Sequence, residues 1–294
     1  FNHKSGLFVN GGYTRNNHGG WQGDLTGREK RWHPKDQALM NGMFGFQNRN
    51  MNVWYRLDFL DEKIFGPNNG SELQPEKVSD KDFLTKRYTH QLQSDWKLDN
   101  RLDVHAALSY QDYKRRTRTT ESDLSTGEKW LSSAEASQDI TQYKAWIARA
   151  TVAWNIAPEF SVQPGVEYQW TQGEGGRIDG TPKVSDLAFF LSAEYKPWEW
   201  LSLRPGVRTF IVADYDAPIA IPSVLTKFKL TKHMDLRLSY AYGFRSPTLQ
   251  ELYFSFHNDN HDIDGNPDLK AEYSHNITGS VAYRVLHSEK IHLT

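Results

Sequence analysis

Residues 145–154 read AWIARATVAW, and residues 161–171 read SVQPGVEYQWT. In the first, Trp146, Ala148, Ala150, Val152 and Trp154 share one side of a two-residue period, with Arg149 and Thr151 on the other. In the second, Val162, Pro164, Val166, Tyr168 and Trp170 alternate with Gln163, Gly165, Glu167 and Gln169. Period two places successive side chains on opposite faces of an extended strand, so each segment reads as a strand with one apolar and one polar face. RLDVHAALSY (101–110) and MDLRLSYAYG (234–243) repeat the split.

The alternation extends to about thirteen strands. They fall near 6–14, 37–47, 51–62, 84–97, 101–117, 140–155, 160–173, 185–196, 200–213, 218–230, 234–244 and 273–286, with a last one from 290. Many exceed the usual length of about 5–6 residues and reach the roughly 9–11 that a tilted strand needs to cross a bilayer. Their connections alternate in kind. Short turns stand near 47–50, 98–100, 156–159, 197–199, 231–233 and 287–289. Longer polar loops cover 15–36, 63–83, 118–139, 174–184 and 245–272, with 214–217 the short exception. One tight end and one elaborated end is the pattern of an outer-membrane barrel. A soluble propeller predicts short strands in groups of four, which these are not. WNIAPEFSVQPGVEY (154–168) and KPWEWLSLRPGVRTF (196–210) share a Trp-bearing turn followed by Pro-Gly-Val, read as similar turn chemistry with Pro164 and Pro205 near strand starts.

The composition agrees. No Cys is present and the formal net charge is −1, which gives no thiolate metal site and no basic field for nucleic acid. No run of about 18 apolar residues forms a transmembrane helix. The chain opens at Phe1 with no signal segment, as expected either of a processed start or of a piece of a longer protein. Ten Trp suit either a globular domain that buries such rings or a membrane barrel with aromatic belts at both lipid–water boundaries, and composition alone allows both. A face carrying Glu167, Glu194, Lys196, Arg204, Arg208 and Arg237 cannot meet lipid, where a charge costs about 2–4 kcal/mol, so it lines a wet or plugged lumen. An odd strand number does not close a bacterial single-chain barrel, and an open sheet leaves unpaired backbone in lipid. The fold class expected is therefore all-β: part of a large antiparallel transmembrane β-barrel.

Phe244-Arg245-Ser246-Pro247, followed by Leu249-Gln250-Glu251-Leu252-Tyr253 and by Asn266-Pro267-Asp268-Leu269, resembles the paired boxes of the TonB-dependent outer-membrane receptors. Ser246 replaces the usual Ala of the first box. NVWYRLDFLDE (52–62) and APIAIPSVLTKFKL (217–230) are similar to the family less distinctively. The resemblance implies a barrel of roughly 22 strands blocked by an N-terminal plug. Residues 1–294 would then be a partial barrel domain, with plug and closing strands outside it. It also implies active uptake of an iron complex, haem or siderophore, driven by the TonB complex through the plug. The complex is cargo rather than cofactor. A cobalamin receptor is the alternative within the family, and a passive porin the alternative outside it. Partners implied are the TonB complex, outer-membrane lipid or lipopolysaccharide, and a surface lipoprotein that hands over ligand. The cell outer membrane of a Gram-negative bacterium is the location implied.

The resemblance makes His257, His261 and Tyr253 candidate ligand contacts, since haem receptors of the family carry a histidine between the boxes and imidazole ligates haem iron. The alternative is that the histidines are ordinary polar loop residues. Phe244, Arg245, Pro247, Glu251, Asn266, Pro267 and Leu269 are the box residues, with Arg245 and Glu251 expected to fix the strand-to-loop exit. Asn260-x-Asp262-x-Asp264-Gly265 fails as an EF-hand, because position 12 is Ala271 and Pro267 interrupts the loop. Lys114-Arg115-Arg116-Thr117-Arg118 is the densest basic run, suited to a solvated rim or to anionic lipopolysaccharide. Trp21, Trp32 and His33 either meet ligand or pack their own loop. No nucleophile–base pair or carboxylate pair suggests an enzyme.

Overall fold

A computed structural model describes residues 6–134, 137–213, 217–258, 261–286 and 289–293. In chain order the strands are β1 (Leu7–His18), β2 (Lys35–Gln47), β3 (Met51–Gly66), β4 (Lys77–Lys97), β5 (Leu102–Asp123) and β6 (Lys129–Leu131). There follow β7 (Ile140–Ala157), β8 (Phe160–Glu174), β9 (Lys183–Trp198), β10 (Leu201–Ala213), β11 (Ile221–Lys229) and β12 (Met234–Arg245). A short helix α1 (Leu249–Tyr253) and the strands β13 (Ser255–Asn258) and β14 (His261–Asp264) precede β15 (Glu272–Leu286) and β16 (Glu289–Leu293). Thirteen strands pair antiparallel in sequence order from β1 to β16, skipping β6, which adds to β5, and the separate β13–β14 hairpin. The thirteen coincide with the thirteen expected from alternation. This is a meander, so successive connections alternate between the two ends of the sheet, with short turns such as 48–50 and 158–159 at one and long loops such as 67–76 and 246–271 at the other.

The register fixes the faces. Trp154 opposes Leu102 and Val162, while Arg149 opposes Ala107 and Glu167, so apolar and polar rows each continue across strands. On the polar face Glu167 is 7 % exposed between Arg208 at 2.8 Å and Arg149 at 3.3 Å. Glu194 pairs with Arg204 at 2.9 Å and Lys196 at 3.0 Å, and Lys227 with Asp235 at 3.0 Å. Mutual neutralisation of this kind suits a wet interior.

The apolar face carries two aromatic bands. Towards the short turns stand Trp96, Trp154, Trp198 and Trp200, with Trp198 and Trp200 stacked at 5.2 Å. Towards the loops stand Phe59 on Tyr88 at 4.8 Å, Tyr110 on Trp146 at 4.4 Å and Tyr242 on Tyr273 at 5.8 Å. Tyr88 and Trp96 on β4, like Trp146 and Trp154 on β7, are eight residues apart. That separation is about 26 Å along the strand and roughly 20 Å of height at a barrel tilt of about 40°, near the apolar band of a membrane barrel.

The structure adds three things to the expected outline. First, β3, β4 and β5 run on well past the loop-side band, so 63–83 and 118–139 are partly strand. Second, Pro164 and Pro205, expected near strand starts, each stand fifth in their strands, β8 and β10. Third, 245–272 is not a plain loop, because it holds α1 and the β13–β14 hairpin. Trp21 and Trp32 pack on each other, exchanging backbone hydrogen bonds at 2.9 and 3.0 Å, which closes their loop on itself.

Candidate functional site

The chain leaves β12 through Arg245 and returns through Glu272, its register partner on β15. Arg245 donates to Glu272 from Nε at 2.9 Å and from Nη2 at 2.6 Å. It also donates to Glu251 from both Nη atoms at 3.1 Å. A planar guanidinium suits this double clasp, which a lysine could not reproduce. Glu251 simultaneously accepts from the Thr248 N–H at 2.7 Å, and the Glu251 N–H donates to Thr248 Oγ1 at 3.2 Å. This reciprocal capping box starts α1. The Arg245 guanidinium and then the Thr248 bonds pull the Glu251 carboxyl down to about 2. Pro247 is buried beside this exit. The ring of Phe244 lies 5.1 Å from that of Phe210 and 6.2 Å from that of Tyr273.

The second box closes the excursion by backbone geometry. The Asn266 N–H donates to the Glu251 carbonyl at 2.9 Å, and Asn266 Oδ1 accepts from the Asp268 N–H at 2.9 Å. Pro267 and Leu269 are exposed in the turn that follows. At Gly265 a Cβ would stand 2.7 Å from the Leu252 carbonyl, so only glycine allows this approach.

α1 is tucked onto the inner face. Gln250 donates to the Tyr143 hydroxyl at 3.0 Å, and Leu249 packs over Gly173. Ile178, Leu249, Leu252 and Ala271 are four of the six buried apolar residues among those described. The dry core is thus in the loops, because the sheet turns its apolar side chains outward.

The hairpin carries the histidines. His257 sits opposite Asp262, and its two ring nitrogens meet two carboxylates, Nδ1 to Asp262 at 2.5 Å and Nε2 to Asp264 at 3.0 Å. Donating to both requires the imidazolium, and the Asp262 bond with the Asp264 charge raises the His257 pKa above its ordinary value. No ring nitrogen is left with a free lone pair in this arrangement. His261 pairs with Asn258 through its backbone, and its side chain lies outside the described ones, as does residue Asn260. Tyr253 ends α1, its carbonyl accepting from the Asp179 N–H at 3.0 Å.

That last bond is one of several that tie three loops together. The Ser255 N–H donates to the Arg177 carbonyl at 3.0 Å, and the Arg177 guanidinium lies 4.1 Å from the centre of the Phe256 ring. The Gly176 N–H donates to Asp139 at 2.6 Å. Beneath this arch is a cavity of about 500 Å³ on the inner face at the loop end. Lys81, Arg115 and Arg177 bring three cations to it, and Phe83, Tyr113, Tyr143 and Phe254 bring rings. Arg115 stacks on Phe83 at 4.3 Å. Among the described residues none of the three cations has an ion-pair partner. The only carboxylate in the wall, Asp139, accepts from the Thr141 hydroxyl and the Gly176 N–H. The sequence boxes do not name these residues. Tyr113, Arg115 and Tyr143 were legible as polar-face positions of long strands, but Arg177 and Phe254 arrive from separate loops.

The fold is shared with known proteins. The outer membrane transporter YddB from Escherichia coli superposes with a TM-score of 0.70 at 13% identity, over 95% of this chain and 43% of that one. The FrpB iron transporter from Neisseria meningitidis gives 0.66 at 12% identity, over 96% and 49%. The ferric enterobactin receptor from Pseudomonas aeruginosa gives 0.62 at 14% identity, over 90% and 43%. The chain thus spans less than half the length of each. No curated protein matches it in sequence. The family described as TonB dependent receptor-like, beta-barrel, matches residues 47–288, most of the sheet and both boxes, and the chain belongs to that family.

Proposed function

We propose that this chain is part of the barrel of an outer-membrane receptor that imports an anionic iron complex by TonB-dependent active transport. The cavity under the loop arch carries the reading. Its volume suits a small ligand, and three unpaired cations among aromatic rings suit an anionic, ring-bearing chelate. A ferric siderophore enters such a site without disturbing it. Haem ligation through His257 is the second reading, and it requires one of the two Asp contacts to open first. A neutral cargo such as cobalamin has no use for the three cations. The plug, the closing strands and the TonB-contacting box belong, on this reading, to the rest of the protein. A surface lipoprotein would reach the ligand from the loop end.

The test uses the full-length receptor. Arg115→Ala with Arg177→Ala should weaken binding of an anionic ferric catecholate by about tenfold to hundredfold, at the value of two charge-assisted contacts. Binding of a neutral chelate should be unchanged. Haemin binding lost on His257→Ala but retained in the arginine variant would favour the haem reading. Uptake that persists without the TonB complex would mark a porin and overturn the proposal.

A further inference from the structure

The inner wall carries a second hollow, at the end opposite the loop arch. Its volume is about 1240 Å³, its wall is built from β9, β10, β11 and β12, and the turns at 158–159 and 198–200 form its rim. Register gathers the cations on this one face. Arg204 opposes Leu225, Ser202 opposes Lys227, and Lys227 in turn opposes Arg237. Alternation brings Lys229 to the same side, and Lys196 joins them beside Glu194.

These five cations share the wall with three carboxylates, Glu159, Glu194 and Glu199. Glu194 is divided between Arg204 at 2.9 Å and Lys196 at 3.0 Å. Asp235, in the next hollow, takes Lys227 at 3.0 Å. Among the described residues Lys229 and Arg237 have no ion-pair partner, and both are exposed. The adjoining hollow, about 390 Å³, shares Lys227, Lys229 and Arg237 and adds Lys232 and Arg284. Lys227 and Arg237 are direct cross-strand neighbours, and like charges so placed are destabilising unless an anion joins them.

The wall between this hollow and the loop-end cavity is different. There Glu167 takes both Arg149 and Arg208, and Asp58 clasps Arg56 at 2.6 Å. Cations without carboxylates thus stand at both ends of a stretch whose own cations are paired: Lys81, Arg115 and Arg177 at the loop end, Lys229 and Arg237 at the turn end. We propose that the turn-end hollow is a second station for the anionic chelate, occupied after it leaves the loop-end cavity and before it leaves the barrel. This inference rests on the anionic-cargo reading above. Passage through a pore requires each site to bind firmly enough to admit the solute and weakly enough to release it. Glu159, Glu194 and Glu199 temper the cations here, whereas Asp139 is the only carboxylate in the loop-end wall, so the turn-end station is the weaker of the two.

The experiment uses the full-length receptor in energised cells and an anionic ferric catecholate that carries radioiron and a photoreactive group. Illumination during uptake should cross-link the chelate to 196–204 or 227–237 as well as to the loop-end cavity. Without the TonB complex only the loop-end cross-links should remain. Lys229→Gln with Arg237→Gln should lose the turn-end cross-links and lower the maximal uptake rate by about tenfold, the value of one charge-assisted contact, with loop-end affinity unchanged. Arg237→Lys should keep most of the rate. Absence of turn-end cross-links in the wild type, or an unchanged uptake rate in the double variant, overturns the inference. So does a double variant that admits a large antibiotic the wild type excludes, because the two cations then seat another part of the receptor rather than cargo. If the double variant does not fold, Arg237→Gln alone should show a smaller loss of rate, and no loss overturns the station. A chelate that binds at the loop end and is taken up without ever marking the turn end sinks this inference alone. A wild type that binds no anionic chelate at the loop end sinks the anionic-cargo reading with it.

Discussion

Arg245 holds two carboxylates that reach it from opposite ends of one excursion, Glu251 six residues on and Glu272 twenty-seven residues on. Removing it frees both ends at once. Arg245→Ala should therefore lower folded yield and hydrogen-exchange protection across 246–272 while leaving cargo affinity of the folded fraction unchanged. Arg245→Lys should recover only part of that loss, because an ammonium cannot grip two carboxylates bidentately. The pH dependence has a definite sign. Glu251 is held at about 2, below its ordinary 4.5. Its contribution to α1 is complete above about 4.5 and is lost as pH falls towards 2. Glu251→Gln should abolish that acid-sensitive step in α1 protection. His257 behaves oppositely, since its folded pKa lies above the ordinary 6.5. The clasp on Asp262 and Asp264 is complete below 6.5 and is lost as pH rises through the folded value. Exchange of the 255–264 amides should accelerate over that upper range in the wild type and be flat in His257→Gln.

Among the elements, the strands were the legible part and the loop structures were not. Strands such as β7 and β8 declare themselves because lipid on one side and water on the other force strict alternation over eight or more residues. α1 has five residues, too few for a helical period to register, although Thr248-x-x-Glu251 is itself a capping signal. The β13–β14 hairpin carries Phe256 and Ile263 as one opposed pair, a short pattern easily mistaken for a polar loop. The boxes bracket the excursion between Arg245 and Glu272 and include Arg245 and Glu251. The cavity beneath it depends on which loops touch, and sequence spacing does not encode the meeting of Arg177 with Phe256. Gly265→Ala tests how tightly that loop assembly is fitted. A methyl group 2.7 Å from the Leu252 carbonyl should unseat the hairpin and reduce its exchange protection by about tenfold or more, with the heat-modifiable barrel band retained.

Across the molecule, the arrangement is inside out relative to a soluble domain. Large apolar side chains such as Trp154, 48 % exposed, face outward, while ion pairs such as Arg208–Glu167 stand within. Ala150 lies on the outward face midway between Trp146 and Trp154, and Thr151 is its inward neighbour. Ala150→Arg should destabilise the folded barrel by about 2–4 kcal/mol, whereas Thr151→Arg should be far milder, as measured by denaturant unfolding in detergent or lipid. The same parity gives β5 something close to a reading frame. Deletion of a single residue between Tyr110 and Lys114 would turn Arg115 outward and Lys114 and Arg116 inward, exchanging the side chains of the cavity wall and the outer face in one step. Insertions and deletions in this strand are therefore expected to survive only in pairs, and its two faces can diversify independently by substitution but never by a one-residue change in length.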